Sequence, residues 1–313
     1  MDPLRVLTAE AGFFTAQEAK RAGYGDRDIA RMVRNNTWVR FRRGAYAFSD
    51  EWRALDAVGR HRVRSDAILR THGDRVALSH VSGLVRHGID PWGFPLDRVH
   101  VTRLDGGPGR IERDVVHHEG LVVDTDVMLV GGQLVLTPDR CAIEAGSRST
   151  NEVALCAFDS CLREGLFSST DLHQRFLLMQ HWPHVRHLHV PVRMADARSG
   201  SVGESRGNWW FSQLGIPAPD LQHEVRGAGG ALLGIVDWWW KRFQMFGEFD
   251  GKVKYGRLLK PGQDPGDVVF AEKRREDLIR EATGHSFLRL IWSDFEAPRS
   301  IRARFDSLAS MAG

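Results

Sequence analysis

Four acids and a lysine near the C-terminal end of the chain are spaced so that they fall on a helix and on the second and third strands that follow it. Ser201 to Leu214 reads as a helix with Glu204 near its start, ended by Gly215 with Pro217 and Pro219 beyond it. Gln222–Arg226 and Leu232–Trp239 read as strands about the turn Gly227-Ala228-Gly229-Gly230. Asp237 interrupts the second strand, between Gly234-Ile235-Val236 and Trp238-Trp239-Trp240. A third strand is expected from Phe246 to Tyr255, where period-two alternation puts Glu248, Asp250, Lys252 and Lys254 on one face. A helix from about Phe270 to Thr283, carrying Lys273, Arg274, Arg275 and Asp277, and a last strand over Ser286–Trp292 complete the region. Carboxylates on a helix and two strands, with a lysine beside them, are materials for a hard divalent cation. Such ions prefer oxygen ligands, and gathered acids repel one another unless a cation or lysine stands among them.

A second set of residues suits phosphate. Between Lys20 and Arg43 stand Lys20, Arg21, Arg27, Arg31, Arg34, Arg40, Arg42 and Arg43 against only Asp26 and Asp28. A local cluster of this kind is the electrostatic footprint of a phosphate-binding surface. The elements beneath it are legible. Thr15-Ala16-Gln17-Glu18 has the form of a capping box and starts a short helix ending at Gly23-Tyr24-Gly25. Asp26 caps a second helix to about Asn35, with Ile29 and Val33 on one face and Arg27, Arg31 and Arg34 on another. Trp38–Phe41 and Ala45–Phe48 then read as a hairpin with Arg42-Arg43-Gly44 at its turn. Helix, turn, arginine-faced helix and hairpin make a winged helix-turn-helix, in which a helix fits the major groove and Arg27, Arg31, Arg34, Arg40, Arg42 and Arg43 contact DNA.

Both ends resemble known families. Helix, three antiparallel strands, helix and strand, with acids on the first helix and the second and third strands, resembles the PD-(D/E)XK nuclease superfamily over residues 199–296. The nearest branch is the very-short-patch-repair-like endonuclease domain, with Glu248-Phe249-Asp250-Gly251 as its third-strand motif. Gly284-His285-Ser286-Phe287-Leu288-Arg289, then Trp292-Ser293-Asp294, fits its ending. The resemblance implies DNA phosphodiester hydrolysis assisted by Mg²⁺ or Mn²⁺. Asp237 and either Glu248 or Asp250 would hold the metal, Lys252 would orient the attacking water, and Glu204 would bind a second ion or fix the first. At the N-terminus, Phe13-Phe14-Thr15-Ala16-Gln17-Glu18-Ala19 and Gly44-Ala45-Tyr46 resemble the AbiEi-type antitoxin winged helix. Ala77–Leu84 and Val99-His100-Val101-Thr102 resemble the section that follows the wing in that family. This likeness implies a repressor of a toxin–antitoxin operon with a cognate toxin, and the C-terminal domain would then bind without cutting.

The chain as a whole reads as an α+β multidomain protein. A winged helix-turn-helix spans 1–50, a mixed α/β segment 51–198 and the PD-(D/E)XK-like α-β-β-β-α-β domain 199–313, with a polar connection at 193–200. Hydrophobic content of 42%, charged content of 27% and a net charge of +3 fit a soluble chain. With no signal peptide and no membrane-length apolar run, a cytoplasmic location is expected. Cys141, Cys156 and Cys161 are three, without a Cys-x-x-Cys pair, and read as buried thiols. Strands are expected at Arg98–Thr102, Val115–His118 and Leu134–Thr137, and a helical run from Arg140 to about Gln180, recapped near Ser169. His181, His184, His187 and His189 crowd one segment but match no metal-site spacing and read as surface residues. His80, His87, His117 and His118 form no recognisable constellation in the sequence.

Overall fold

The computed structural model describes residues 2–251, 275 and 278–310, which gather into two units: 1–157 with 166–190, and 158–165 with 191–313. Among the described residues the chain is mixed α/β, with three separate sheets. In the first unit, α1 (Pro3–Ala11) is capped by the Asp2 side chain and stopped by Gly12 at φ 71°. It leads into β1 (Phe14–Thr15), α2 (Ala16–Arg21), α3 (Asp26–Arg34), β2 (Trp38–Arg42) and β3 (Ala45–Phe48). The expected capping box is present. Thr15 accepts from the Glu18 N–H, and the Glu18 carboxylate accepts from the Thr15 N–H at 2.7 Å. The β1 strand was not legible beforehand; it pairs with β3, so the small sheet has the order β1-β3-β2. Leu4, Phe14, Ala19, Ile29, Trp38, Tyr46 and Phe48 fill the core between this sheet and the helices. Trp38 meets Phe14 of β1 edge-on at 4.7 Å between ring centroids, which packs the hairpin against the chain that leads into α2.

After α4 (Ser49–Ala54) and α5 (Ala57–His72) come β4 (Val76–Leu78), α6 (His80–Arg86), β5 (Val99–Arg103), β6 (Arg110–Ile111), β7 (Val115–His118), β8 (Val127–Val130) and β9 (Gln133–Leu136). The six strands form one sheet in the order β6-β7-β5-β4-β9-β8, with β5/β7 and β4/β9 parallel. Its core is built from Ile68, Leu69, Val76, Leu78, Val99, Val101, Val115 and Val135. The helical run expected from Arg140 to Gln180 is three helices: α7 (Pro138–Gly146), α8 (Asn151–Arg163) and α9 (Ser169–Met179). The first break falls at Ser147–Thr150, where serine hydroxyls bond the local backbone and compete with the helix. α6 and α7 approach closely because residue 83 is glycine; a Cβ there would lie 2.2 Å from the Cys141 sulfur.

Past α10 (His189–Met194), the second unit continues with α11 (Val202–Gln213), β10 (Asp220–Arg226), β11 (Leu232–Trp240), β12 (Met245–Phe249) and β13 (Ser286–Leu290), and ends in α12 (Arg299–Ser310). The strand order is β10-β11-β12-β13, with β12 and β13 parallel and the other pairs antiparallel. One sheet core contains Phe211, Trp238, Trp240, Phe249, Leu288, Ile301 and Phe305, and the other contains Val225, Val236, Phe246, Ile279 and Phe287. α11 lies close on the first. A Cβ at Gly203 would stand 2.0 Å from Phe249, and one at Gly207 2.4 Å from Trp238. The expected polar connection at 193–200 is tied in place, because the Asp196 N–H donates to Asp159 at 2.8 Å and Arg163 donates to the Ser199 carbonyl at 2.7 Å. Residues 278–283 are helical, and β12 ends at Phe249 rather than running toward Tyr255. Lys252, Lys254, Lys273, Arg274 and Asp277 lie outside the described residues.

Candidate nucleic-acid interface and acidic site

The geometry of α3 separates its two faces. Ile29 is buried among the aromatic residues of the small core. Arg27, Arg31 and Arg34, at i, i+4 and i+7, form one stripe and are exposed. Arg31 reaches back to Asp28 at 2.7 Å, a surface pair that phosphate can displace at little cost. Arg27, Arg34, Arg40 and Arg43 make no ion pair among the described residues, and Arg40 and Arg43 are exposed on the hairpin. Arg42 is turned the other way. Its guanidinium donates to Asp114 at 2.8 Å, with Glu112 at 3.8 Å, so its charge holds the hairpin against the neighbouring part of the same unit. Phe41 stacks on Trp52 at 4.8 Å beside it. The wing turns at Gly44, where φ is 76° and glycine carries no steric cost.

In the second unit, the close seat of α11 lowers Glu204 into the protein, where it is 3% exposed. Its carboxylate accepts from the Gly200 N–H at 2.7 Å and from the Gln222 amide at 2.8 Å. The same Gln222 nitrogen stands 3.3 Å from Asp237 Oδ1, while Asp237 Oδ2 accepts from the Phe249 N–H at 2.8 Å. Gln222 sits at φ 51°, a left-handed conformation inside a strand, and this irregularity turns its amide toward the two acids. Glu248 is held differently. It accepts from Arg275 at 2.9 Å, and Arg289 stands 3.7 Å away. Asp250 follows the end of β12, its N–H donating to the Leu290 carbonyl at 2.8 Å. Thus the structure joins Glu204 with Asp237 through Gln222 and places Glu248 in an arginine clamp, whereas Lys252 lies outside the described residues.

Sequence reasoning missed a third grouping. His80, His100 and His118 converge, and one ring nitrogen from each lies within 4.8 Å of the others. His100 Nδ1 and His118 Nε2 are 2.9 Å apart, and the His118 ring stacks on His80 at 3.7 Å between centroids. Burial, and then the neighbouring histidines, pull the His100 pKa down to about 3 and that of His118 to about 2, so both rings are neutral at neutral pH. The three residues are far apart in sequence, and the parallel β5/β7 pairing that joins them is non-local. The available signal was the repetition of histidine just after β4, on β5 and at the end of β7. His87 is instead used by the Leu136 carbonyl at 2.8 Å, and His117 packs edge-on against His72. His181, His184 and His189 are exposed.

The family model described as transcriptional regulator, AbiEi antitoxin, matches residues 3–49, the stretch containing α1 to β3. Two Mycobacterium tuberculosis proteins, Rv2248 of strain H37Rv and MT2308 of strain CDC 1551, both described as uncharacterized, are each 22% identical to this chain over 160 residues. The match covers 47% of this chain and spans 59% of the length of those relatives. No helix among the described residues is long and apolar enough to cross a membrane.

Proposed function

We propose that this chain is a cytoplasmic DNA-binding transcriptional regulator of the AbiEi antitoxin kind. In this reading α3 enters the major groove and the β2–β3 hairpin follows the adjoining backbone. The observation that carries it is the exposed stripe Arg27, Arg31 and Arg34 on the second helix of a helix-turn-helix, within the segment that the regulator family model matches. Arg40 and Arg43 extend the positive surface onto the wing, and Arg42 positions that wing. A cognate toxin as partner belongs to the same reading. The test is binding to duplex DNA from the chain's own upstream region against shuffled duplex at one salt concentration. A preference on the order of 10³-fold or more is expected of a specific regulator. Equal affinity for both duplexes would contradict it.

A second reading rests on a specific observation in the second unit: Glu204 and Asp237 turn oxygens onto one amide nitrogen. Together with the strand order β10-β11-β12-β13, this supports a PD-(D/E)XK-type domain. Two converging carboxylates suit a hard cation such as Mg²⁺ or Mn²⁺. Glu204 and Asp237 would hold it, while Glu248, already paired with Arg275, and Asp250 are the further acids nearby in sequence. A bound ion would supply polarisation of the scissile phosphate and a more acidic attacking water. Plasmid nicking that requires Mg²⁺ or Mn²⁺ and is abolished by Asp237→Ala is the expected result of this reading. Tight DNA binding without nicking in either metal would refute it and leave the regulator alone.

A further inference from the structure

We propose that His80, His100 and His118 form a binding site for a borderline divalent transition-metal ion of the zinc type. The site lies at the N-terminal end of α6 and is separate from both the arginine stripe and the acids of the second unit. Three nitrogen donors come from three rigid elements: His80 from the first position of α6, His100 from β5 and His118 from the end of β7. The β5/β7 register sets His100 opposite Val116 and Thr102 opposite His118, so the two histidines sit two positions apart on one face. Imidazole nitrogens of this number are the donor set of many zinc sites, which leave a fourth position to water or a ligand. In a tetrahedral zinc site the nitrogens stand about 3.4 Å apart, as Zn–N distances of 2.0–2.1 Å require. The 2.9 Å approach of His100 to His118 and the 4.8 Å limit for the trio bracket that spacing, and binding turns the His80 and His118 rings out of their 3.7 Å stack so that their in-plane lone pairs meet at the ion.

The surroundings are built in the same sense. His80 Nδ1 stands 3.2 Å from Glu144 Oε2 on α7, and Arg140 donates to the other carboxylate oxygen at 2.9 Å. His80 Nδ1 makes its hydrogen bond to Ser79 Oγ at 3.1 Å, and the carboxylate close beside it favours a proton on Nδ1, which leaves the Nε2 lone pair open as behind a metal-bound histidine. Gly83 makes this reach possible, since it lets α6 lie against Cys141 one turn from Glu144. The chain of ion pairs running from Asp139 through Arg175, Asp126 and Arg140 to Glu144 holds three carboxylates against two guanidiniums. One negative charge is therefore left over within it, and its last carboxylate faces His80. A cation on the trio offsets that charge. His80 itself is held at φ 50°, a left-handed conformation that is unfavourable for a non-glycine residue and is concentrated at functional sites. Ser82 accepts from the His100 N–H at 2.8 Å, which fixes the second donor against the same helix.

The test uses the full chain, stripped with chelator and titrated with Zn²⁺ alone by calorimetry and with Co²⁺ alone by visible absorption. The expected result is one ion per chain, a tetrahedral-type Co²⁺ spectrum without a thiolate charge-transfer band, and at least 100-fold weaker binding in His100→Asn and His118→Asn. Glu144→Gln, a positioning change that removes no ligand, should weaken binding about 10- to 100-fold. His184→Ala with His187→Ala should leave binding unchanged. Circular dichroism of each variant in chelator separates a lost site from a lost fold; if a histidine variant does not fold, Glu144→Gln decides. The proposal is overturned if the folded wild type takes up neither ion. It is equally overturned by unchanged affinity in a folded His118→Asn or in Glu144→Gln, or by loss of binding with the His184/His187 pair instead.

Discussion

Two arginines one residue apart in the wing illustrate how single side chains divide the work. Arg43 is exposed and makes no ion pair among the described residues, while Arg42 is committed to Asp114. Arg42→Ala should therefore lower stability by about 1 kcal/mol, the upper range for a partly exposed pair, and leave the salt dependence of DNA binding unchanged. A shallower salt slope in that variant would return Arg42 to the DNA interface. In the second unit, burial raises the Asp159 carboxyl to about 7, while donors from Ser205, the Asp196 N–H and Ser199 oppose the shift and the Asp196 carboxylate adds to it. A raised acid binds its proton more tightly in the folded state than in the unfolded one. Its stabilising contribution is complete below about pH 4 and is lost as pH rises through about 7, a difference on the order of a few kcal/mol. Asp159→Asn keeps the shape of the protonated acid and should flatten melting temperature between pH 4 and 8, raising it at the alkaline end. An unchanged pH profile would show that the Asp159 carboxyl is ordinary.

At the scale of elements, close helix seating is what lowers the candidate site's side chains into place. Gly207 lets α11 rest on Trp238, and Glu204, one turn earlier, reaches Gln222. Gly207→Ala should destabilise the protein by about 1–3 kcal/mol through overpacking, even though alanine favours helix. A urea midpoint equal to or above that of the wild type would contradict this. Local chemistry made several elements readable in advance: the Thr15–Glu18 box, the arginine face of α3, and the strands bearing Asp237 and Glu248. What stayed hidden was non-local. The burial of β8 does not alternate along the strand, with Met128 and Leu129 both exposed, so it offers no period-two signal. Pairing of β1 with β3 rests on only two residues. The α12 helix earns its place by packing Ile301 and Phe305 under Trp240, a contact that no local pattern announces. The histidine trio required the parallel β5/β7 register, and the meeting of Glu204 with Asp237 required the left-handed turn at Gln222.

For the whole molecule, the arginine stripe of α3 lies in one unit and the paired acids in the other. This division is why the regulator reading and the cleavage reading can be tested separately in one protein. The regulator reading makes the stronger claim on α3, because phosphate neutralisation leaves a signature independent of base sequence. Each phosphate contact releases condensed counterions, so log affinity falls with log salt at a slope of about 0.9 per contact on duplex DNA. The decisive measurement is that slope for the full chain and for Arg31→Ala and Arg34→Ala, taken on one duplex between about 50 and 200 mM salt. Weaker binding in both variants, with the slope reduced by about one for each arginine removed, is expected if α3 lies in the groove. Affinity and slope unchanged in both would take α3 out of the interface and contradict the central claim.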